Sequence, residues 1–128
     1  MKQGFSVAIA GLVLLAAGVP LRAHHSTAAT YDMSKVVTLK GVVTEVTWLN
    51  PHCTFSMNVK DGDGNTVHWT VELPPPNYLM RQGWKRSDLK QGDEVTVDVW
   101  LDKKGSNMAD GRIVHMPDGR SIPLAAGW

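Results

Sequence analysis

The sequence predicts a mainly β protein that folds as one small barrel, and three observations support this prediction. Five segments are rich in β-branched residues, and most of them alternate apolar with polar side chains. One short helical segment separates the third of these strands from the fourth. The chain has 128 residues, which suffices for one domain and leaves no room for a second independent core.

The first 23 residues have the pattern of a secretory signal peptide. Lys2 supplies a positive charge, residues 5–19 are apolar, and Ala23 is a small residue at a plausible cleavage site. The apolar stretch is shorter than the roughly 20 residues that span a bilayer; an uncleaved anchor is the alternative. Cleavage would take the formal net charge from +1 to −1, because Lys2 and Arg22 leave and no acid does. We therefore expect a periplasmic or secreted protein that does not associate with the membrane after cleavage.

A polar segment at residues 24–35 precedes the first predicted strand, which covers residues 36–48. Gly41 in the middle of this strand allows the bend that a strand needs to coil around a barrel. The Asn50-Pro51 pair ends it. The predicted organisation is thus a signal peptide, a flexible N-terminal arm at residues 24–35 and a barrel domain at residues 36–128.

The second and third strands are predicted to form a hairpin. Residues 53–59 and 66–73 alternate apolar and polar side chains, and the Asp61–Asn65 segment is a strong turn signal. Matching the two inward faces fixes the register, from which three pairs follow: Val59 with Val67, Asn58 with His68, and Thr54 with Glu72.

The remaining chain is predicted as a short helix and two further strands. Prolines at 74–76 end the third strand, and residues 77–82 form a helix that stops at Gly83. Strands follow at residues 94–101 and at about 108–116. Three strands, one helix and two strands is the order of the five-stranded, partly open Greek-key barrel known as the OB-fold. A two-sheet sandwich usually needs more strands.

Ordered sequence blocks give the chain a resemblance to a known family. The blocks are His24-His25-Ser26 with Tyr31-Asp32, W-x-N-P-H at 48–52, W-x-x-E at 69–72, Gly83-Trp84, L-K-x-G-D at 89–93, and the turn at 117–120. They resemble a group of small exported bacterial proteins catalogued as a domain of unknown function. Val99-Trp100 departs from that family's pattern, which tends to have a glycine there, and so does Cys53. The resemblance implies export and the fold, and it implies no reaction.

Two histidines at the predicted mature N-terminus suggest a metal site. Cleavage after Ala23 would give His24 a free α-amine, and an amine and an imidazole on one residue can chelate a metal ion together. His25 could add a second imidazole. Imidazole nitrogens favour copper, zinc or nickel, with copper strongest in the general affinity order. The alternative is a solvated arm whose histidines bind nothing specific.

His52 and Glu72 extend this candidate site. Because Glu72 faces Thr54 in the predicted hairpin, His52 is its diagonal neighbour at roughly 7–8 Å. The arm could complete a site on this barrel face. The alternative is that His52 hydrogen-bonds the preceding bend while Glu72 is merely exposed. The predicted ligands are therefore His24, His25, His52 and Glu72, and the expected metal is copper.

Other candidate residues have structural interpretations. His68 is predicted to be an exposed strand residue, and the face of His115 is left open. Cys53 shares the apolar face of its strand, which predicts a buried, inert thiol. As the only cysteine, it excludes an intramolecular disulfide and any CxxC site. The core is expected to take up four methionines: Met57, Met80, Met108 and Met116.

The net charge and the sequence motifs allow the possible functions to be ranked. A charge near zero gives little reason to expect a nucleic-acid partner, and Asp88 and Asp93 dilute the basic cluster between Arg81 and Lys90. The leading interpretation is a binding module that holds a transition metal for sequestration or transfer. A structural or protein-interaction module without metal is the second. A histidine-brace type of oxidative enzyme comes last, because no acid–base pair or nucleophile constellation is visible in the sequence.

Overall fold

The computed structural model describes residues 26–124. Its helices are α1 (Thr27–Thr30) and α2 (Pro76–Arg81). Its strands are β1 (Val37–Thr47), β2 (Thr54–Lys60), β3 (Thr66–Glu72), β4 (Glu94–Leu101), β5 (Met108–His115) and β6 (Ser121–Pro123). Five strands run in the order β3-β2-β1-β4-β5, and a parallel pairing of β3 with β5 closes the barrel. The predicted OB-like barrel, with its helix between the third and fourth strands, is confirmed.

β1 is the strand that both halves of the barrel share. Its first half pairs with β4 and its second half with β2, and Gly41 belongs to both ladders, opposite Val95 and Val59. A Cβ atom at position 41 would lie 2.1 Å from the backbone oxygen of Asn58, so only glycine fits here. A register shift between Val43 and Glu45 adds further curvature.

The β2–β3 hairpin has the predicted register. Val59 pairs with Val67, Asn58 with His68 and Thr54 with Glu72. The turn is held by the Asp61 carboxylate, which accepts the backbone N–H groups of Asp63 at 2.9 Å and Asn65 at 2.8 Å. An aspartate that caps its own turn explains why this segment reverses the chain.

The core lies inside the barrel and follows the alternation of the strands. Val97 and Val99 of β4, Phe55 of β2 and Val71 of β3 are all buried, and Leu79 of α2 joins the same cluster. The expectation that four methionines fill the core is half wrong. Met57 and Met116 are buried, whereas Met80 is 56% exposed and Met108 is 40% exposed. Met80 lies on the outward side of a single short helix, and Met108 is the first residue of β5, at the end of the barrel strand.

Three features were not expected from the sequence. β6 adds a sixth strand beside β5, α1 lies in the N-terminal arm, and residues 26–32 of that arm contact the barrel. A three-residue strand that ends in proline gives too short a pattern for detection. Residues 1–25 lie outside the described range, so the division into signal peptide, arm and barrel stays a prediction. No helix within residues 26–124 is long and apolar enough to cross a membrane.

Candidate functional site

His52 and Glu72 lie at the open end of the β2–β3 hairpin. The ladder extends past the strand ends, because the Leu73 N–H donates to the Cys53 oxygen at 2.8 Å and the Cys53 N–H donates to the Pro74 oxygen at 3.2 Å. His52 therefore sits where the ladder ends, close in register to Glu72. Both residues are half-buried.

Tyr31 joins the N-terminal arm to Glu72. Its side chain is only 3% exposed, and its hydroxyl donates a hydrogen bond to the Glu72 carboxylate. Burial raises the pKa of Tyr31, and so do the hydrogen bond to Glu72 and the charges of Glu72, Asp110 and Asp102. The phenol is thus a hydrogen-bond donor at any physiological pH, and Tyr31 brings the arm beside the predicted ligand Glu72.

Backbone contacts fix the rest of the arm to the end of β4 and the following turn. The Asp32 N–H donates to the Leu101 oxygen at 2.9 Å, and the Lys103 N–H donates to the Thr30 oxygen at 3.0 Å. The Lys103 ammonium also donates to the Ala28 oxygen at 2.6 Å. These bonds hold α1 and Tyr31 against the loop between β4 and β5.

A buried acid lies next to Glu72 across the seam that closes the barrel. Asp110 pairs with Glu72 in the parallel β3–β5 ladder and is 1% exposed. Burial raises the pKa of Asp110 to about 6, against the opposing effect of Arg112 and with a small contribution from Glu72. The Arg112 guanidinium lies 3.5 Å from the Asp110 carboxylate and 3.9 Å from the ring centre of Trp100.

The predicted metal ligands are only partly placed. His24 and His25 lie outside the described residues, while His52 and Glu72 occupy the same end of the hairpin. Between residues 26 and 124, no group of three or more His, Cys, Asp or Glu side chains is arranged to hold a metal ion. The four-residue site stays a prediction that depends on the two N-terminal histidines.

The other histidines have partners on the outer face of the barrel. His68 is exposed, as predicted, and its Nδ1 lies 3.0 Å from the Asn58 side-chain oxygen. His115 contacts Ser121 and Asp98 at the same time. Sequence reasoning missed this group, because the contact depends on β6 and on the register of β4 against β5. Outward alternation of Asp98 and His115 on neighbouring strands was the available signal.

Cys53 is the buried thiol that the sequence predicts. It is 0% exposed, and burial raises the pKa of the thiol despite the opposing hydrogen bond to Leu49 and the charge of Arg86. A buried, protonated thiol is a poor nucleophile and a poor metal ligand.

The outer face of β2 and β3, which many OB-folds use for ligands, is polar and nearly neutral. Its outward side chains are Thr54, Ser56, Asn58, Lys60, Thr66, His68, Thr70 and Glu72. Single-strand binding normally relies on aromatic rings for base stacking and on Lys or Arg for the phosphates. These eight positions supply no Phe, Tyr or Trp and one cation, Lys60, whose ammonium donates to the Thr66 hydroxyl at 2.7 Å. The face therefore lacks the stacking rings and the run of cations that single-strand binding normally uses.

The chain was compared with solved structures and with known sequences. The chain is similar to the mitochondrial single-stranded DNA binding protein Rim1 of S. cerevisiae, with 11% sequence identity and a TM-score of 0.48, over 71% of this chain and 96% of that one. A likeness at this level carries no argument. Comparison with curated proteins finds no match. A model described as a family of unknown function (DUF6152) matches residues 11–111, and because this range covers most of the chain, the protein belongs to that family.

Proposed function

We propose that the protein is an exported OB-like barrel that binds a transition-metal ion, with copper the preferred metal. The proposed ligands are His24, His25, His52 and Glu72. The signal-peptide pattern of the first 23 residues supports export to the periplasm or the medium. Sequestration or transfer of the ion would be the role of such a small carrier.

The observation that carries the proposal is the docking of the arm on the barrel beside Glu72, through the buried Tyr31 side chain and the Asp32 N–H that donates to the Leu101 oxygen at 2.9 Å. In the chain, Tyr31 follows His25 by six residues. A fully extended segment of that length spans at most about 20 Å, and the helical Thr27–Thr30 segment shortens this span. Anchoring Tyr31 at Glu72 therefore keeps both N-terminal histidines within reach of the His52 end of the hairpin. An arm that was not anchored at Tyr31 would not be held near His52.

Glu72 is suited to a double role. An ionised carboxylate has two oxygens and about four acceptor sites, so one oxygen can accept the Tyr31 hydroxyl while the other binds a cation. In metal sites a hydrogen-bonded carboxylate is better oriented than a free one. Tyr31 would then act as a residue that positions a ligand.

Copper titration of the processed protein tests the proposal. Intact mass should first show cleavage after Ala23. Calorimetry with Cu(II) should then give one tight site, and His24→Ala or His52→Ala should each weaken the affinity at least about tenfold. Glu72→Gln, which keeps an acceptor for Tyr31 but removes the charge, should weaken it less.

His68→Ala is the matched control, because His68 is an exposed histidine on the same hairpin with an asparagine partner. Its affinity for copper should equal that of the wild type. If His24→Ala and His52→Ala also bind like the wild type, the metal proposal is wrong, and a protein-interaction module takes its place.

A further inference from the structure

Four strands each contribute one residue to a chain of hydrogen-bonded side chains on the outer face of the barrel. The Ser121 hydroxyl oxygen lies 2.8 Å from Nδ1 of His115. Nε2 of His115 lies 3.2 Å from Oδ2 of Asp98. The Thr38 hydroxyl donates to the other Asp98 oxygen at 2.6 Å. None of these residues belongs to the proposed metal site.

The strand register explains why the four side chains meet. Ser121 of β6 is directly opposite His115 of β5, and Thr38 of β1 is directly opposite Asp98 of β4. Asp98 pairs with Ile113, two positions before His115 on β5, so Asp98 and His115 are diagonal neighbours on one face of the sheet. Residues on paired strands are held more precisely than residues on loops.

Hydrogen bonding determines which nitrogen of the neutral His115 ring carries the proton. An ionised carboxylate only accepts hydrogen bonds, so Asp98 requires the proton of the neutral imidazole on Nε2. Nδ1 is then the acceptor for the Ser121 hydroxyl. The hydrogen bond from Thr38 lowers the pKa of Asp98, and His115 adds to this effect, which keeps the carboxylate ionised at neutral pH.

We propose that Ser121 is a nucleophile toward small carboxylic esters, with His115 as its general base and Asp98 as the residue that positions His115. A hydroxyl within hydrogen-bond distance of a base, which a third group orients, is the arrangement that activates serine nucleophiles. This activity is independent of the proposed metal binding.

The reaction is a two-step ester hydrolysis. The Ser121 oxygen attacks the carbonyl carbon of the ester while its proton moves to Nδ1 of His115. The bond between that carbon and the alkoxy oxygen breaks, and the departing oxygen takes the proton from Nδ1. Water then attacks the acyl-serine in the same way, gives its proton to Nδ1, and releases the carboxylic acid as the serine oxygen recovers that proton. Asp98 stabilises the imidazolium that forms in each step.

The exposure of Ser121 and His115 determines which esters can react and how fast. Ser121 is exposed, and the His115 side chain is 40% exposed, so a small ester can approach from solvent. General-base assistance contributes about 10²–10⁴-fold in enzymes, and we expect the low end of that range on an open surface. Small activated esters are therefore the expected class.

Acylation by p-nitrophenyl acetate tests this inference on the full processed protein. Peptide mapping by mass spectrometry after a short reaction should locate the acetyl group on Ser121. Ser121→Ala should abolish that adduct, and His115→Gln should slow its formation about 100-fold. Asp98→Asn should slow it and also change the dependence of the rate on pH, which a merely structural residue would not do.

His68→Gln is the matched control, because His68 is an exposed strand histidine whose nearest partner is an amide instead of a hydroxyl. It should leave the rate of acylation at Ser121 unchanged. Acetylation confined to lysines or to histidine rings, or equal rates for the wild type and His115→Gln, would overturn the proposal. The mapping uses wild-type protein, so its result does not depend on whether a variant folds.

Discussion

Gly41 is the single residue on which the course of β1 depends. Its backbone approaches the backbone of Asn58 so closely that no side chain fits between them. The same residue pairs with β2 on one side and β4 on the other. A close crossing of this kind lets one strand belong to both halves of a small barrel.

Gly41→Ala should therefore destabilise the protein strongly. A Cβ atom at 2.1 Å from the Asn58 oxygen, and 2.8 Å from its carbonyl carbon, must push rigid backbone apart. We expect the free energy of unfolding to fall by about 3 kcal/mol, measured by urea denaturation.

Gly62→Ala is the control for this substitution. A Cβ at position 62 meets no described atom within 4 Å, so the change should alter stability by less than about 1 kcal/mol. Equal losses for the two variants would show that the close crossing is not the cause.

The N-terminal arm is the element whose sequence says least about its contacts. Residues 24–35 are mostly polar and gave the prediction of a flexible segment. Its anchor is the buried ring of Tyr31, and the other hydrogen bonds that join its described residues to the barrel are from or to backbone atoms. Backbone contacts leave no sequence pattern, so this docking could not be predicted from composition.

Tyr31→Phe tests the anchor. Loss of one hydrogen bond to a half-buried carboxylate should lower the free energy of unfolding by about 1 kcal/mol. The backbone N–H groups of Tyr31 and Asp32, which donate to Thr27 and Leu101, should exchange faster with deuterated solvent.

Tyr78→Phe removes the hydroxyl of the other tyrosine and serves as the comparison. Exchange in the arm should be the same in this variant as in the wild type. An arm that exchanges equally fast in the wild type and in Tyr31→Phe would contradict a role for the Tyr31 hydroxyl.

The β2–β3 hairpin shows what local sequence can predict. Alternation and the aspartate turn at Asp61 fixed its register to the residue, because both signals lie within one short segment. The parallel β3–β5 pairing and the addition of β6 depend on contacts between distant segments. The candidate site has the same limit. The hairpin register predicted that His52 lies near Glu72, whereas the contacts of Tyr31 and Asp110 with Glu72 depend on distant segments and could not be predicted.

At the scale of the whole molecule, the barrel closes through a short seam of three residue pairs between β3 and β5. Asp110 lies in that seam, buried, with Arg112 as its ion-pair partner. A strand aspartate is normally expected to face water. Its burial here links the stability of the closed barrel to pH.

The stability of the wild type relative to Asp110→Asn should fall as the pH rises. The pKa of Asp110 is about 6 in the folded protein and 3.8 in the unfolded chain, so the folded state binds the proton more tightly. This contribution is complete below pH 3.8 and is lost as the pH rises through 6. Because one pKa unit corresponds to about 1.4 kcal/mol, the relative loss should reach about 3 kcal/mol.

Urea denaturation of both proteins at a series of pH values from about 4 to about 8 measures this difference. Asparagine has nearly the same shape and does not titrate in this range, so it isolates the contribution of the Asp110 proton. A difference in stability that stays constant across the series would show that Asp110 has an ordinary pKa in the folded barrel.

Because Cys53 is enclosed in the core, the reactivity of its thiol can be used to follow opening of the barrel. The chain has one cysteine, which is 0% exposed and immediately precedes β2. A colourimetric disulfide reagent added to the intact protein can react only after the core around this sulfur becomes accessible. The rate of colour development therefore measures how often the barrel opens under native conditions, without any introduced label.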